Sequence, residues 1–277
     1  MRPFEYYAPT SLEEAFELLA RFGPDAKLLN GGTDVVIQLR DRLIAPRAVI
    51  DIKRIPGLDS LTFSEEEGLT IGACVTANVL GGSPFVRERY SALSDAAMSL
   101  GSKQVRNRAT CIGNIVNASP LADTATPLLA HGAVVIARSS GGAREIPLEE
   151  FFISARKTSL RPEEIVTSIR VPYLPGCHGV FLKVSRRREV DLSTVCVTCL
   201  TTSAGWRIAF GAVAPTPIRL RKTEALLDSR PLTEEVIRQA AELARAEVSP
   251  IDDVRASKTY RLEVVGVVLA RGLRALM

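Results

Sequence analysis

The 277-residue sequence has no apolar stretch of the length, about 20 residues, needed to cross a bilayer. Its most apolar tract, Val264 to Met277, is broken by Arg271 and Arg274 and reads as a terminal amphipathic helix. The opening Met1-Arg2-Pro3-Phe4-Glu5 lacks the apolar core of a secretory signal. Only two histidines occur, His131 and His178, far apart, so a histidine triad or multi-histidine metal site has too few members. Each reads as a structural or surface residue. No GxGxxG follows a strand and no GxxxxGK(S/T) is present, which excludes the usual dinucleotide fingerprint and the P-loop. A large excess of one charge is also missing. The formal net charge of +4 is too small to imply nucleic-acid binding. The single basic run, Arg186-Arg187-Arg188, meets Glu189 and Asp191 at once and reads as a solvated strand end or loop.

Five cysteines are scattered along the chain without a secretory signal, which predicts a reducing compartment and a cytoplasmic location. Cys196 and Cys199 form a CxxC, but they lie in the β-branched run Leu192 to Leu200. Side chains three apart on a strand point to opposite faces, so the two thiols cannot share a ligand. Cys74, Cys111 and Cys177 have no local partners. Neither a metal site nor an iron–sulfur cluster is expected on this chain, and no acid–base constellation marks a catalytic residue.

What is present is ordinary globular composition, 46% hydrophobic and 24% charged, enough for one large domain or two modest ones. Ser11-Leu12-Glu13-Glu14 is a capping box, and Ala15, Leu18, Leu19 and Phe22 follow at helical spacing up to Gly23. Ala26 to Leu29 reads as a short buried strand, Val35 to Leu43 as a helix ending before Pro46, and Ala48 to Ile52 as the next strand. Further on, strands are expected near Leu69–Gly72 and Ala133–Ala137, with a helix from Ser91 to Leu100. Pro172, Pro175 and Gly176 suggest a boundary. Beyond it lie candidate strands at Val180–Val184, Ser193–Thr201 and Arg207–Val213, then helices at Thr233–Glu247 and Ala256–Arg274.

Two polar, glycine-containing segments stand out. In Leu28-Leu29-Asn30-Gly31-Gly32-Thr33-Asp34-Val35, paired glycines allow a tight bend and close approach of amides to an anion. The helix that follows would aim its amino end at the same spot, which suits a pyrophosphate. Thr33 and Asp34 also read as ordinary cap residues of a tight turn, and taken alone the segment favours that structural reading, since Gly-Gly turns before helices are common. The second segment, Ala109 to Thr124, gathers Thr110, Asn114, Asn117, Ser119 and Asp123 among small residues. Such a run can wrap an extended polar ligand or form a surface turn. Two such segments in one α/β region favour a phosphate-bearing cofactor.

The pattern Leu29-Asn30-Gly31-Gly32-Thr33-Asp34 resembles the first flavin-binding signature of the FAD subunits of the molybdenum hydroxylase family, of the xanthine dehydrogenase and carbon monoxide dehydrogenase type. Lys103-Gln104-Val105-Arg106-Asn107 through Thr110 to Asn114, then Ala118 to Asp123, resembles the second. The likeness continues through Lys157 to Ile165, Lys183 to Asp191, Gly211 to Arg219 and Arg255 to Lys258, so it spans essentially the whole chain. Bacterial xanthine dehydrogenase FAD subunits are the nearest likeness within the family.

The resemblance implies an α+β chain. A PCMH-type FAD-binding domain over residues 1–175, with subdomains of about 1–56 and 57–175, would precede a C-terminal domain, 176–277, with a three-stranded antiparallel sheet and helices. FAD would lie between the subdomains. By motif position, Leu28, Leu29, Asn30, Gly31, Gly32, Thr33, Asp34 and Val35 would hold the pyrophosphate. Ala109, Thr110, Gly113, Asn114, Asn117 and Asp123 would serve phosphate, ribityl and adenosine parts, and Leu100, Leu160 and Lys183 match positions near the flavin. In addition, Lys183 can be read as an ordinary strand-end lysine. Molybdopterin and 2Fe–2S clusters would sit on a large and a small partner subunit, electrons passing through FAD to NAD, oxygen or another acceptor. Two departures are visible. Ile112 stands where relatives usually carry glycine, and Leu100 where they often carry an aromatic. A stand-alone FAD oxidoreductase of related fold and a flavin-free structural partner are the other readings.

Overall fold

The structure is a computed structural model that describes residues 1–277. The Ser11 hydroxyl caps the first helix, Leu12–Phe22, by accepting from the Glu14 amide at 3.1 Å, and Gly23 ends it, as the sequence pattern predicts. Three short strands follow one another here: β1 (Glu5–Tyr7), β2 (Ala26–Leu29) and β3 (Ala48–Asp51). They pair in parallel in the order β1-β3-β2. Parallel neighbours need crossover connections. The Leu12–Phe22 helix bridges β1 to β2, and a six-residue helix, Val35–Arg40, lies between β2 and β3. This second helix is shorter than its apolar spacing suggests. Arg42 adopts φ +59° and the chain unwinds well before Pro46.

The next unit contains β4 (Leu61–Ser64), β5 (Gly68–Gly72), β6 (Val134–Ser139), β7 (Gly142–Pro147), the small hairpin β8 (Phe152–Ser154) and β9 (Lys157–Thr158), and β10 (Ile165–Val171). Five of them form an antiparallel sheet in the order β4-β5-β10-β6-β7. Six short helices fill the interval between β5 and β6, including Ala77–Gly82, Ser91–Met98, Lys103–Arg106, Cys111–Val116 and Ala125–His131. The Ala109–Thr124 segment therefore carries a six-residue helix, Cys111–Val116, where polarity suggested a loop. Thr110 caps the helix, and Cys111, Ile112 and Ile115 turn inward.

After Val171, the chain enters β11 (His178–Val184), β12 (Val195–Thr202), β13 (Gly205–Gly211) and the two-residue β14 (Ile218–Arg219). The three long strands form the expected antiparallel sheet, and β14 adds a short fourth at its edge. Helices Arg221–Asp228, Glu234–Glu247 and Lys258–Arg274 complete the chain. Every residue from Val195 to Leu200 is buried. Cys196 and Leu200 belong to the 41-residue core shared with the amino-terminal units, whereas Val195, Val197 and Cys199 belong to a second, 16-residue core beneath the terminal helices. The two cysteines thus face opposite sides, as strand geometry requires. The basic run lies in the β11–β12 connection, where Asp191 accepts from the Arg187 amide at 3.0 Å. No helix is long and apolar enough to cross a membrane.

Candidate functional site

The first glycine turn leaves the carboxyl end of β2, the edge at which open α/β sheets generally place their ligand crevice. Leu28 and Leu29 pair with Ile50 and Asp51 of β3. The chain then bends through Asn30-Gly31-Gly32-Thr33-Asp34, and Val35 begins the short helix. No backbone carbonyl accepts from the amides of Asn30, Gly31, Gly32, Thr33 or Asp34. Buried or half-buried N–H groups normally find a partner, and a run of free ones makes an anion-binding concavity. Gly32 sits at φ +79°, a conformation that favours glycine. Gly31 is needed for a different reason. A Cβ there would lie 1.9 Å from the carbonyl oxygen of Arg108 and 3.0 Å from Ala109 Cα. The two motifs therefore touch, main chain against main chain.

The second motif is held from below. Ala77 donates its amide to the Ala109 oxygen at 2.8 Å, beside an isolated bridge between Thr76 and Thr110. Thr110 Oγ1 accepts from the Gly113 amide at 3.0 Å. Asn114 Oδ1 accepts from the Thr124 hydroxyl at 2.7 Å, and Asn117 Oδ1 accepts from Arg156. Ile112 lies almost wholly inside the main core, so its branched side chain occupies the interior and not the polar turn.

A third cluster joins the C-terminal sheet to this region. Asp123, 3% exposed, accepts from the Ser193 hydroxyl at 2.5 Å, Lys183 Nζ at 2.6 Å and the Ser99 hydroxyl at 3.3 Å. Lys183 also donates to the Ser99 oxygen at 3.2 Å. Burial pushes the Asp123 carboxyl up, while Lys183 and the two serines favour its charged form. Lys183 is thus not a free strand-end lysine; it is one half of an interior ion pair. Leu100 is half-buried, and its carbonyl and that of Gly101 each accept from the Arg106 guanidinium at 3.1 Å. Leu160 packs partly buried against the main core just beyond the β8–β9 hairpin. That hairpin is tied to the second motif by the Arg156 amide on the Ala118 oxygen at 2.8 Å.

The structure thus brings the Asn30–Thr33 turn against Ala109, and Asp123 against Lys183. Sequence reasoning missed Asp51, Lys53, Ser99 and Ser193, which support these groups, and Ser193 does so from far along the chain. Ser193 is 70 residues from the carboxylate it bonds. Asp51 alone left a local trace, an acid at the end of an apolar strand. No group of three or more His, Cys, Asp and Glu side chains converges as a metal site.

The family described as the FAD binding domain in molybdopterin dehydrogenase matches residues 2–174, and the CO dehydrogenase flavoprotein C-terminal domain matches 180–276. The chain is 35% identical over 267 residues to the xanthine dehydrogenase FAD-binding subunit of Escherichia coli O157:H7, covering 94% of this chain and 91% of that one. It is 34% identical over 279 residues to the carbon monoxide dehydrogenase medium chain of Hydrogenophaga pseudoflava, covering 98% and 96%. A solved carbon monoxide dehydrogenase from Hydrogenophaga pseudoflava, lacking the Mo-pyranopterin moiety of its cofactor, superposes with a TM-score of 0.94 at 34% identity over 99% of this chain and 98% of that one. Motif order, two matched domains and near-complete coverage agree: the chain belongs to the family of FAD-binding subunits of the molybdenum hydroxylases.

Proposed function

We propose that this chain is the electron-relay subunit of a multi-subunit hydroxylase, taking electrons from iron–sulfur clusters on a small partner and passing them to NAD or another acceptor. The observation that carries the reading is the run of unbonded amides from Asn30 to Asp34 set against the main chain of Arg108 and Ala109. Those features fit a dinucleotide: the amides meet a diphosphate, and the absence of a Cβ on Gly31 keeps the second wall close. Leu28, Leu29 and Val35 frame that turn. Thr110, Gly113, Asn114 and Asn117 would serve the phosphate, ribityl and adenosine parts from the facing helix. Leu100, Leu160 and Lys183 would border the flavin ring, with Asp123 orienting Lys183. When bound, FAD supplies the exchange between single-electron and electron-pair transfer, and the protein supplies position and electrostatics. The ammonium of Lys183, fixed by Asp123 and the Ser99 carbonyl, gives a set charge at one place in the site.

In this reading residues 1–175 form the flavin domain, with subdomains of about 1–56 and 57–175, and 176–277 form the second domain. The gap between Val171 and His178, the ends of adjacent sheets, supports the cut. A cytoplasmic location accords with five free cysteines. Relatives named for xanthine and for carbon monoxide match this chain almost equally well, which accords with a substrate site on another subunit. Purification from the native source tests the proposal. The expected outcome is a yellow assembly containing this chain, an iron–sulfur subunit and a molybdenum subunit. Recovery of a colourless, metal-free monomer that oxidises a substrate by itself would overturn it.

A further inference from the structure

The amide turn at Asn30 has a support that leads away from the cradle. Asp51 ends β3, the central strand of the parallel sheet. Its carboxylate accepts from the Tyr6 hydroxyl at 2.7 Å, from the Lys53 amide at 3.0 Å and from Lys53 Nζ at 2.6 Å. The same ammonium donates to the main-chain oxygen of Asn30 at 3.0 Å. Burial pushes the Asp51 carboxyl up, but the bonds from Lys53 and Tyr6 outweigh it and hold the group below the usual carboxylate range. Asp51 is therefore ionised at neutral pH and anchors Lys53 with a full charge.

Every peptide bond in the chain is trans, and in a trans peptide the C=O and N–H point in opposite directions. A cation fixed on the Asn30 oxygen therefore leaves the Gly31 N–H pointing the opposite way, from the other edge of the same peptide plane. It also polarises the peptide, which makes that N–H a stronger donor. We propose that Lys53, held by Asp51 (itself bound by the Tyr6 hydroxyl), is a positioning residue that sets the Asn30–Gly31 peptide for the diphosphate of the bound dinucleotide. It acts through the peptide, from the side opposite the phosphates. The inference rests on the flavin reading above, and it adds a residue that neither glycine motif contains.

The test uses the full chain stripped of flavin and titrated with FAD by fluorescence quenching. K53M is expected to weaken FAD binding about tenfold, the usual reach of one charge-assisted bond. K53R, whose guanidinium can still donate to both oxygens, is expected to recover most of that loss. At saturating FAD, the phosphorus NMR resonances of the bound diphosphate are expected to move in K53M, while the absorbance spectrum of the bound flavin keeps its wild-type shape. Where K53M fails to fold, Y6F takes its place, with FAD binding weaker by about threefold. Wild-type affinity in the variant used, failure of K53R to restore binding, or unmoved phosphorus resonances would each overturn the proposal while leaving the flavin reading intact. A wild-type chain that takes up no FAD overturns both.

Discussion

At the residue scale, function turns on a few places where one atom more or less decides the outcome. Gly31 is the sharpest. Its φ is unremarkable for any residue, yet a Cβ would sit 1.9 Å from the Arg108 oxygen. Gly31→Ala is expected to push the two motifs apart and lower FAD affinity by more than about tenfold, read by fluorescence titration, because the amides proposed to hold the diphosphate can do so only in register. His131 makes a second prediction. It is buried beside Tyr90, with ring centroids 5.1 Å apart, and burial, helped by Arg207, lowers its pKa to about 4. The folded state then binds fewer protons than the unfolded chain between that value and the ordinary histidine range. Its contribution is complete above the unfolded pKa and is lost as pH falls toward the folded one. Between about pH 7 and pH 5 the loss should reach about 2 kcal/mol. Urea melts of wild type and His131→Phe at both pH values check it; equal pH slopes in the two proteins would refute it.

At the element scale, capping does visible work in the C-terminal half. Thr233 Oγ1 accepts from the Val236 amide at 3.3 Å and opens the Glu234–Glu247 helix. Thr233→Ala should cost about 1 kcal/mol in a denaturant melt, with no change in flavin content. Cap signals made this helix and the first one legible from sequence alone. The short helices between β5 and β6 were harder to see, and for a definite reason. All seven residues of Ala125–His131 are buried, so no polar face exists to impose a helical period. The β12 strand, whose two faces pack on different cores and whose residues do not alternate, was legible by another signal, its β-branched run.

At the scale of the whole molecule, the two halves meet through an apolar face and one interior ion pair. Phe181, Cys196, Leu200 and Ala209 of the C-terminal sheet belong to the amino-terminal core. The Thr126 and Thr198 hydroxyls meet across the same boundary at 2.9 Å. Lys183 and Asp123 close it, with side-chain exposures of 13% and 4%. Lys183→Met would leave a buried carboxylate without its cation. The expected loss is about 3–5 kcal/mol of unfolding free energy, measured on the flavin-free chain by denaturant titration. A loss under about 1 kcal/mol would mean that the pair is solvent-screened and does not fasten the halves.

The sequence by itself determined the family, the glycine bend after β2, the capped helices, and the separation of Cys196 from Cys199, because each is written in neighbouring residues or in a fixed local period. Only the tertiary structure decided that Gly31 lies on Arg108, that Ile112 faces the core, that Lys183 is bound to Asp123, and that Lys53 grips the Asn30 oxygen. The paired residues lie far apart in the chain: 23 positions for Lys53 with Asn30, 60 for Lys183 with Asp123 and 77 for Gly31 with Arg108. Such meetings arise from the packing of whole sheets against one another, and local periodicity carries no record of them.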